Sequence, residues 1–251
     1  MSSQKTYLLV IGSGPGIGLA TAQHFAANKT SSIVLFSRNS TRLAEDKANI
    51  ESSLAKSGVD ANSVQIRTVP VDVADLPALR SALASLSDFG RPECIFFNAA
   101  RVRATGLLAD TAEEISYDFS ITNLALYEVA KWGLPQLVGL AEEAAKRSDG
   151  ARHVRPSLIV TSSLLHVYPM PDLVSLSVTK VAQRTLVKCL SDQYSQLGVH
   201  VALISIGGQV DDKFETMNAR VIAERVWKTY RQERGNFTFD VMVLEGMPSN
   251  V

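Results

Sequence analysis

A chain of 251 residues, 46% apolar and 20% charged, is long enough for a large core and too apolar for a disordered or fibrous protein. Its 25 basic and 25 acidic side chains cancel, leaving no electrostatic footprint for nucleic acid or an anionic membrane, so a small molecule is the expected partner. Two distant cysteines, Cys94 and Cys189, form no C-x-x-C pair and read as buried free thiols. The four histidines, His24, His153, His166 and His200, share no ligand spacing, and no metal is expected. The first residues carry no export core and no apolar run would span a bilayer, which gives a cytoplasmic location as the expectation.

In chain order, Tyr7–Ile11 reads as a buried strand and Gly16–Asn28 as a helix; Ser32–Phe36 and Ser40–Lys56 repeat the pair. The strand Val64–Val69 precedes a helix at Asp75–Leu86, and the strand Cys94–Phe97 precedes a long one at Ser116–Lys146. Arg147–Arg155 is a polar loop before the strand Ser157–Thr161, the helix Leu173–Leu197 and the strand Val199–Ile204. The pattern then loosens, with a helix near Ala219–Glu233 and a last strand at Phe237–Leu244. Repeated β-α-β units of this kind imply a doubly wound parallel sheet of about seven strands with helices on both faces. With no repeat or low-complexity tract, residues 1–251 read as one domain, and 207–235 as a lid over substrate.

The first strand runs at once into Gly12-Ser13-Gly14-Pro15-Gly16-Ile17-Gly18 and then a helix. Glycines there let the backbone turn sharply and approach a pyrophosphate, while the helix start supplies N–H donors and a positive dipole end. The second strand ends at Ser37 and Arg38, where a dinucleotide's adenosine ribose would lie. An acidic residue there would bind the ribose diol, whereas Arg38, aided by Ser37 and reinforced by Arg42 one turn on, favours a 2′-phosphate and hence NADP(H).

The spacing G-x-x-x-G-x-G, with the motifs that follow, resembles the short-chain dehydrogenase/reductase superfamily over nearly the whole chain, from Tyr7 to about Leu244. The resemblance implies a Rossmann-type fold. It assigns Asp72 and Val73 to the adenine, and matches Asn98-Ala99-Ala100 to the superfamily's Asn-Asn-Ala-Gly element, with Asn98 bracing strands and the alanines bordering the ribose. It makes Asn123 the helix-bending asparagine, Ser163 the substrate-orienting serine and Lys180 the lysine that also binds the nicotinamide ribose, and it leaves Gly208 and Val210 for the nicotinamide end. It further implies a homodimer or homotetramer built on the two long helices.

Several positions depart from the pattern. Ile11 replaces the usual threonine before the first glycine, Gly207 replaces a proline, and Asp212 falls near a threonine that touches the diphosphate. The largest departure is Leu176, which stands where the proton-donating tyrosine should be, one helical turn before Lys180. General acid–base help is worth about 10²–10⁴-fold, so the ordinary relay should be crippled.

Three groups after Ser163 are candidate donors: Tyr168, His166 and, with a raised pKa, Asp172. Their structural alternatives are a packing tyrosine, a surface histidine and a helix N-cap aspartate. Arg101 and Arg103 either meet a polar substrate at the pocket mouth or face water. The chain thus reads as an NADP(H)-dependent reductase of a C=N, iminium or C=O group, an iminium needing no external acid. The alternatives are an isomerase or cyclase that holds the cofactor without net redox, and a catalytically inactive NADP(H)-binding homologue.

Overall fold

In the computed structural model, which describes residues 5–29, 31–146 and 154–246, seven parallel strands form one sheet in the order β3-β2-β1-β4-β5-β6-β7. They are β1 (Thr6–Ile11), β2 (Ser32–Ser37), β3 (Gln65–Pro70), β4 (Arg91–Phe97), β5 (Ser157–Ser163), β6 (His200–Ile206) and β7 (Asp240–Val243). The helices are α1 (Ile17–Asn28), α2 (Ser40–Lys56), α3 (Leu76–Ala84), α4 (Ala112–Phe119), α5 (Ala125–Lys146), α6 (Val174–Tyr194) and α7 (Ala219–Tyr230). His153 and most of the polar Arg147–Arg155 stretch lie outside the described residues.

The continuous apolar runs of the strands follow from burial on both sheet faces. Successive side chains alternate: Tyr7, Leu9 and Ile11 join a core under α3, α5 and α6, whereas Leu8 and Val10 join a second core under α1, α2 and α7. Helix starts are set by short polar side chains that accept from the first turn. Asn39 caps at Arg42 N, Asp75 at Ala78 N, Thr111 at Glu114 N and Asn218 at Val221 N.

The Thr111 cap explains why the long helical stretch begins before the expected Ser116. It is also not uniform: Ser120–Leu124 forms a single π-helical segment between α4 and α5, so Asn123 sits on a local distortion. The last strand is shorter than Phe237–Leu244, and α7 packs on α1, leaving 207–218 and 231–235 as the irregular parts of the 207–235 stretch. No helix among the described residues is long and apolar enough to cross a membrane. Cys94 is buried as expected, but Cys189 lies on the solvent-facing side of α6 and is exposed.

The sheet order reverses between β1 and β4, whose connections leave to opposite faces. The crevice beyond the carboxyl ends of such strands is where this architecture places ligands.

Candidate active site

Two hollows open along that edge. The larger, about 1180 Å³, runs from the glycine turn past β5 to the start of 207–218. The smaller, about 220 Å³, lies over the ends of β2 and β4. Gly14, Gly16, Ile17, Gly18, Ser163, Tyr168, Lys180, Gly208 and Val210 line the first. Gly12, Ser13, Ser37, Arg38, Asp72, Val73 and Ala99 line the second, and Asn98 and Ala100 border both. Asn123 lines neither; it is buried beneath, donating from Nδ2 to the Thr179 carbonyl at 3.2 Å, while its Oδ1 has no partner among the described residues.

The glycine turn is held from below. Gly12 has φ +90°, and a Cβ there would come within 2.7 Å of Ala99 N, so the turn against β4 admits no side chain. Asn98 Nδ2 donates to the Gly12 carbonyl at 3.0 Å and Thr161 Oγ1 donates to Asn98 Oδ1 at 2.9 Å, which ties β1, β4 and β5 together. A Cβ at Gly14 or Gly16 would meet nothing within 4 Å, and no side chain caps the α1 N-terminus. These residues therefore leave a cradle of the shape and polarity that a dinucleotide's pyrophosphate fits.

Ser13 contributes differently from its neighbours. Its hydroxyl donates to Asp46 Oδ2 at 2.7 Å, a fully buried carboxylate on α2 that also accepts from Arg42 Nε at 3.1 Å. Arg42 is further paired with Glu45, so it is committed to α2 rather than to the ribose pocket. Arg38 is not so committed. Its Nη1 donates to the Tyr117 hydroxyl at 3.1 Å, which in turn donates to Asp72 Oδ2 at 2.8 Å, and burial together with that bond raises the Tyr117 pKa. Neither Asp46 nor Tyr117 was legible in the sequence, because each reaches the site residue it holds, Ser13 or Arg38 and Asp72, across more than 30 residues.

At the other end, Leu176 and Lys180 share one face of α6 and both border the large hollow, 6% and 5% exposed. Lys180 Nζ donates to the Thr161 carbonyl at 3.1 Å and to Gln183 Oε1 at 3.0 Å. Burial alone brings its pKa down from the ordinary 10.5 to about 7, with no carboxylate beside it to hold the charge. Between those two values the unfolded chain keeps a proton that the folded chain has released. The resulting penalty is fully present below pH 7 and fades as pH rises toward 10.5. Wild-type protein is therefore expected to gain stability relative to Lys180→Met between pH 7 and 9 in urea unfolding, and a constant difference would refute that origin.

Ser163 Oγ accepts only a long bond, 3.4 Å, from Leu165 N, which leaves its hydroxyl proton available to the hollow. Of the three candidate donors, Tyr168 alone borders the hollow, at its exposed rim. His166 is neither at the surface nor turned inward. Its side chain is almost fully covered, with Nδ1 2.6 Å from the Ser163 carbonyl and Nε2 3.9 Å from Asp240 on β7. Asp172 is exposed and does not cap α6; it sits inside a 3-10 turn, Pro171–Leu173, and Leu173 occupies the cap position without a side-chain bond.

Arg101 and Arg103 reach neither water alone nor the hollow. Arg101 pairs with Asp118 and Glu114, and Arg103 with Asp110 at 2.7 Å and Glu114 at 3.4 Å. Asp212 is exposed and borders neither hollow, while Asp211 takes the local cation, Lys213, at 3.1 Å.

The glycine at 207 has a structural cause. Its N–H donates to the Val243 carbonyl at 2.9 Å, and a Cβ would lie 2.0 Å from Leu244 Cδ2. A proline would lose that bond and make Leu244 turn aside. Gly207→Pro is expected to cost about 1–3 kcal/mol in chemical denaturation, the range for an orphaned buried carbonyl; unchanged stability would show that β7 adjusts freely.

Residues 6–219 match the family model for short chain dehydrogenases. A short-chain dehydrogenase/reductase of Pestalotiopsis microspora is 26% identical over 215 residues, 85% of this chain and 72% of that protein. Among solved structures, a metagenomic short-chain oxidoreductase in complex with NADP superposes with a TM-score of 0.79 at 19% identity, covering 97% of this chain and 98% of the other. A short-chain dehydrogenase from Sphingobium yanoikuyae in complex with NADPH gives 0.75 at 18%, covering 94% and 87%. With the family model spanning the glycine turn, both hollows and α6, the chain belongs to the short-chain dehydrogenase family.

Proposed function

We propose that this protein is a cytoplasmic NADP(H)-dependent oxidoreductase that reduces a C=N, iminium or C=O group on a small organic substrate. The observation that carries this is a cofactor-shaped cradle continuous with a pocket holding Ser163 and Lys180 but Leu176 in place of the acid. Gly12–Gly18, Arg38, Asp72, Asn98, Lys180, Gly208 and Val210 would hold NADPH, which when bound supplies a hydride. The NADP and NADPH complexes of the two structural relatives support that choice, as does the cation at Arg38.

Ser163 orients the substrate heteroatom through its free hydroxyl proton. Lys180 holds the ribose side of the pocket, and Asn123 steadies α6 through Thr179. An iminium ion needs no donor, because hydride addition neutralises its charge. A carbonyl substrate depends on Tyr168 or on water entering past it. The π-helical segment exposes Leu124 and the long helices Tyr127, Val178 and Val181, which supports assembly into a homodimer or homotetramer.

A second reading, a cofactor-holding isomerase, cyclase or inactive homologue, is favoured by one feature: two of the Lys180 N–H donors are already taken by Thr161 and Gln183. The two separate in one experiment. Purified protein is titrated with NADPH and NADH by fluorescence and then offered cyclic imines and ketones. Tight NADPH binding with imine turnover, and ketone turnover lost in Tyr168→Phe, supports the reductase. NADPH bound without consumption supports the second reading, and failure to bind either dinucleotide overturns both.

A further inference from the structure

The mouth of the large hollow has the wrong chemistry for an anionic substrate. Lys180, deep inside, is the only charged side chain among its described lining residues. The two cations that the sequence sets beside it are withdrawn into a network with Asp110, Glu114 and Asp118. That network is itself anchored: Ser175 Oγ donates to Asp118 Oδ2 at 2.6 Å, Thr105 Oγ1 to Asp110 Oδ2 at 2.9 Å, and Thr105 N to the Asp172 carbonyl at 2.8 Å. Freeing either arginine would strand a buried carboxylate, so the arrangement resists being borrowed by a ligand.

What the mouth presents is apolar. Val102, Tyr168 and Met170 border the hollow while 76%, 69% and 50% exposed. Large apolar side chains gathered around one opening mark a surface that something covers, and here the surface continues inward through Leu164, Leu173 and Leu176. Leu176 extends the apolar wall to the reacting end, where a phenol would have interrupted it. An anion entering the mouth would lose its water with no cation there to replace it.

We infer that the substrate is a bulky, largely apolar molecule without an anionic group that lays its hydrocarbon body along Val102, Met170 and Leu173 and carries its C=N, iminium or C=O group to Ser163. This rests on the oxidoreductase reading of the same site, and it excludes substrates held by a carboxylate, phosphate or nucleotide handle.

The test uses a neutral fused-ring ketone and the same skeleton bearing a carboxylate, titrated calorimetrically into full-length protein with and without NADPH. The neutral compound is expected to bind at least about tenfold more tightly, with a negative heat-capacity change. Val102→Asp and Met170→Asp should each weaken it about tenfold while NADPH affinity stays unchanged, and Val102→Arg should recover the carboxylate. Equal or tighter binding of the carboxylate by wild type overturns the inference, as does indifference of the neutral ligand to both Asp variants with folding intact by circular dichroism. If a second copy covers the rim, the Asp variants change the oligomeric state and not ligand affinity, which also overturns it. Should NADPH fail to bind, the oxidoreductase reading falls alone, because the preference for the neutral compound is still measured on the free protein.

Discussion

Leu176→Tyr is expected to raise ketone reduction by about 10²–10⁴-fold, the usual worth of a positioned general acid. The site is prepared for it. Leu176 is buried but borders the large hollow, so a phenol there would present its hydroxyl to that hollow. Lys180 lies one turn on along the same face. Its ammonium form would lower the phenol's pKa, and a developing phenolate would in turn draw the lysine pKa up from about 7. Ser163 retains the hydroxyl proton needed to hold the ketone oxygen.

The measurement is the initial rate of NADPH oxidation with a simple ketone across pH. A stable variant that binds NADPH yet gains no activity would mean that the relay has lost its geometry as well as its phenol. Turnover of a preformed iminium ion should change little in the same variant, because hydride addition to it requires no donor.

Arg38→Asp is expected to weaken NADPH binding by about 10–100-fold, the loss of charge-assisted bonds to a 2′-phosphate, and to leave NADH affinity equal or improved. Arg38 is the cation at this edge that remains uncommitted to a carboxylate: its partner is the Tyr117 hydroxyl, a neutral group, whereas Arg42 is bound to Glu45 and to buried Asp46. Asp72 stands behind Tyr117 and would turn the pocket further toward a ribose diol once the arginine is gone. The check is the ratio of the two dissociation constants, measured by fluorescence at fixed ionic strength. An unchanged ratio would place the 2′-phosphate elsewhere or remove it from the ligand.

The departures from the family pattern do not share one cause. Gly207 follows from packing against Leu244 and from a ladder bond that a proline would lose, so it carries no message about catalysis. Leu176 has no such structural demand, since its side chain borders a hollow. It is the substitution that bears on chemistry, and its effect is to remove a donor while extending an apolar wall.

The elements were legible because their signals are local. A strand buried on both faces must be apolar throughout, as Tyr7–Ile11 and Cys94–Phe97 are; a phosphate turn must follow a strand and precede a helix, as Gly12–Gly18 does. Those constraints act over a few residues, and they brought nearly every expected site residue to one sheet edge. The fate of the polar side chains was another matter. Arg101 and Arg103 looked available in the chain, and both are taken by Asp110, Glu114 and Asp118, which only the fold brings near, whereas Arg42 and His166 are held by groups within a turn of their own segments. The sequence by itself determined the sheet, the glycine turn and the spacing of Leu176 before Lys180, because strand period, turn sterics and helical pitch are properties of short segments. The tertiary structure alone decided which charges face the cleft, because an ion's partner is set by distance in space, and burial makes leaving it unpaired too costly to permit.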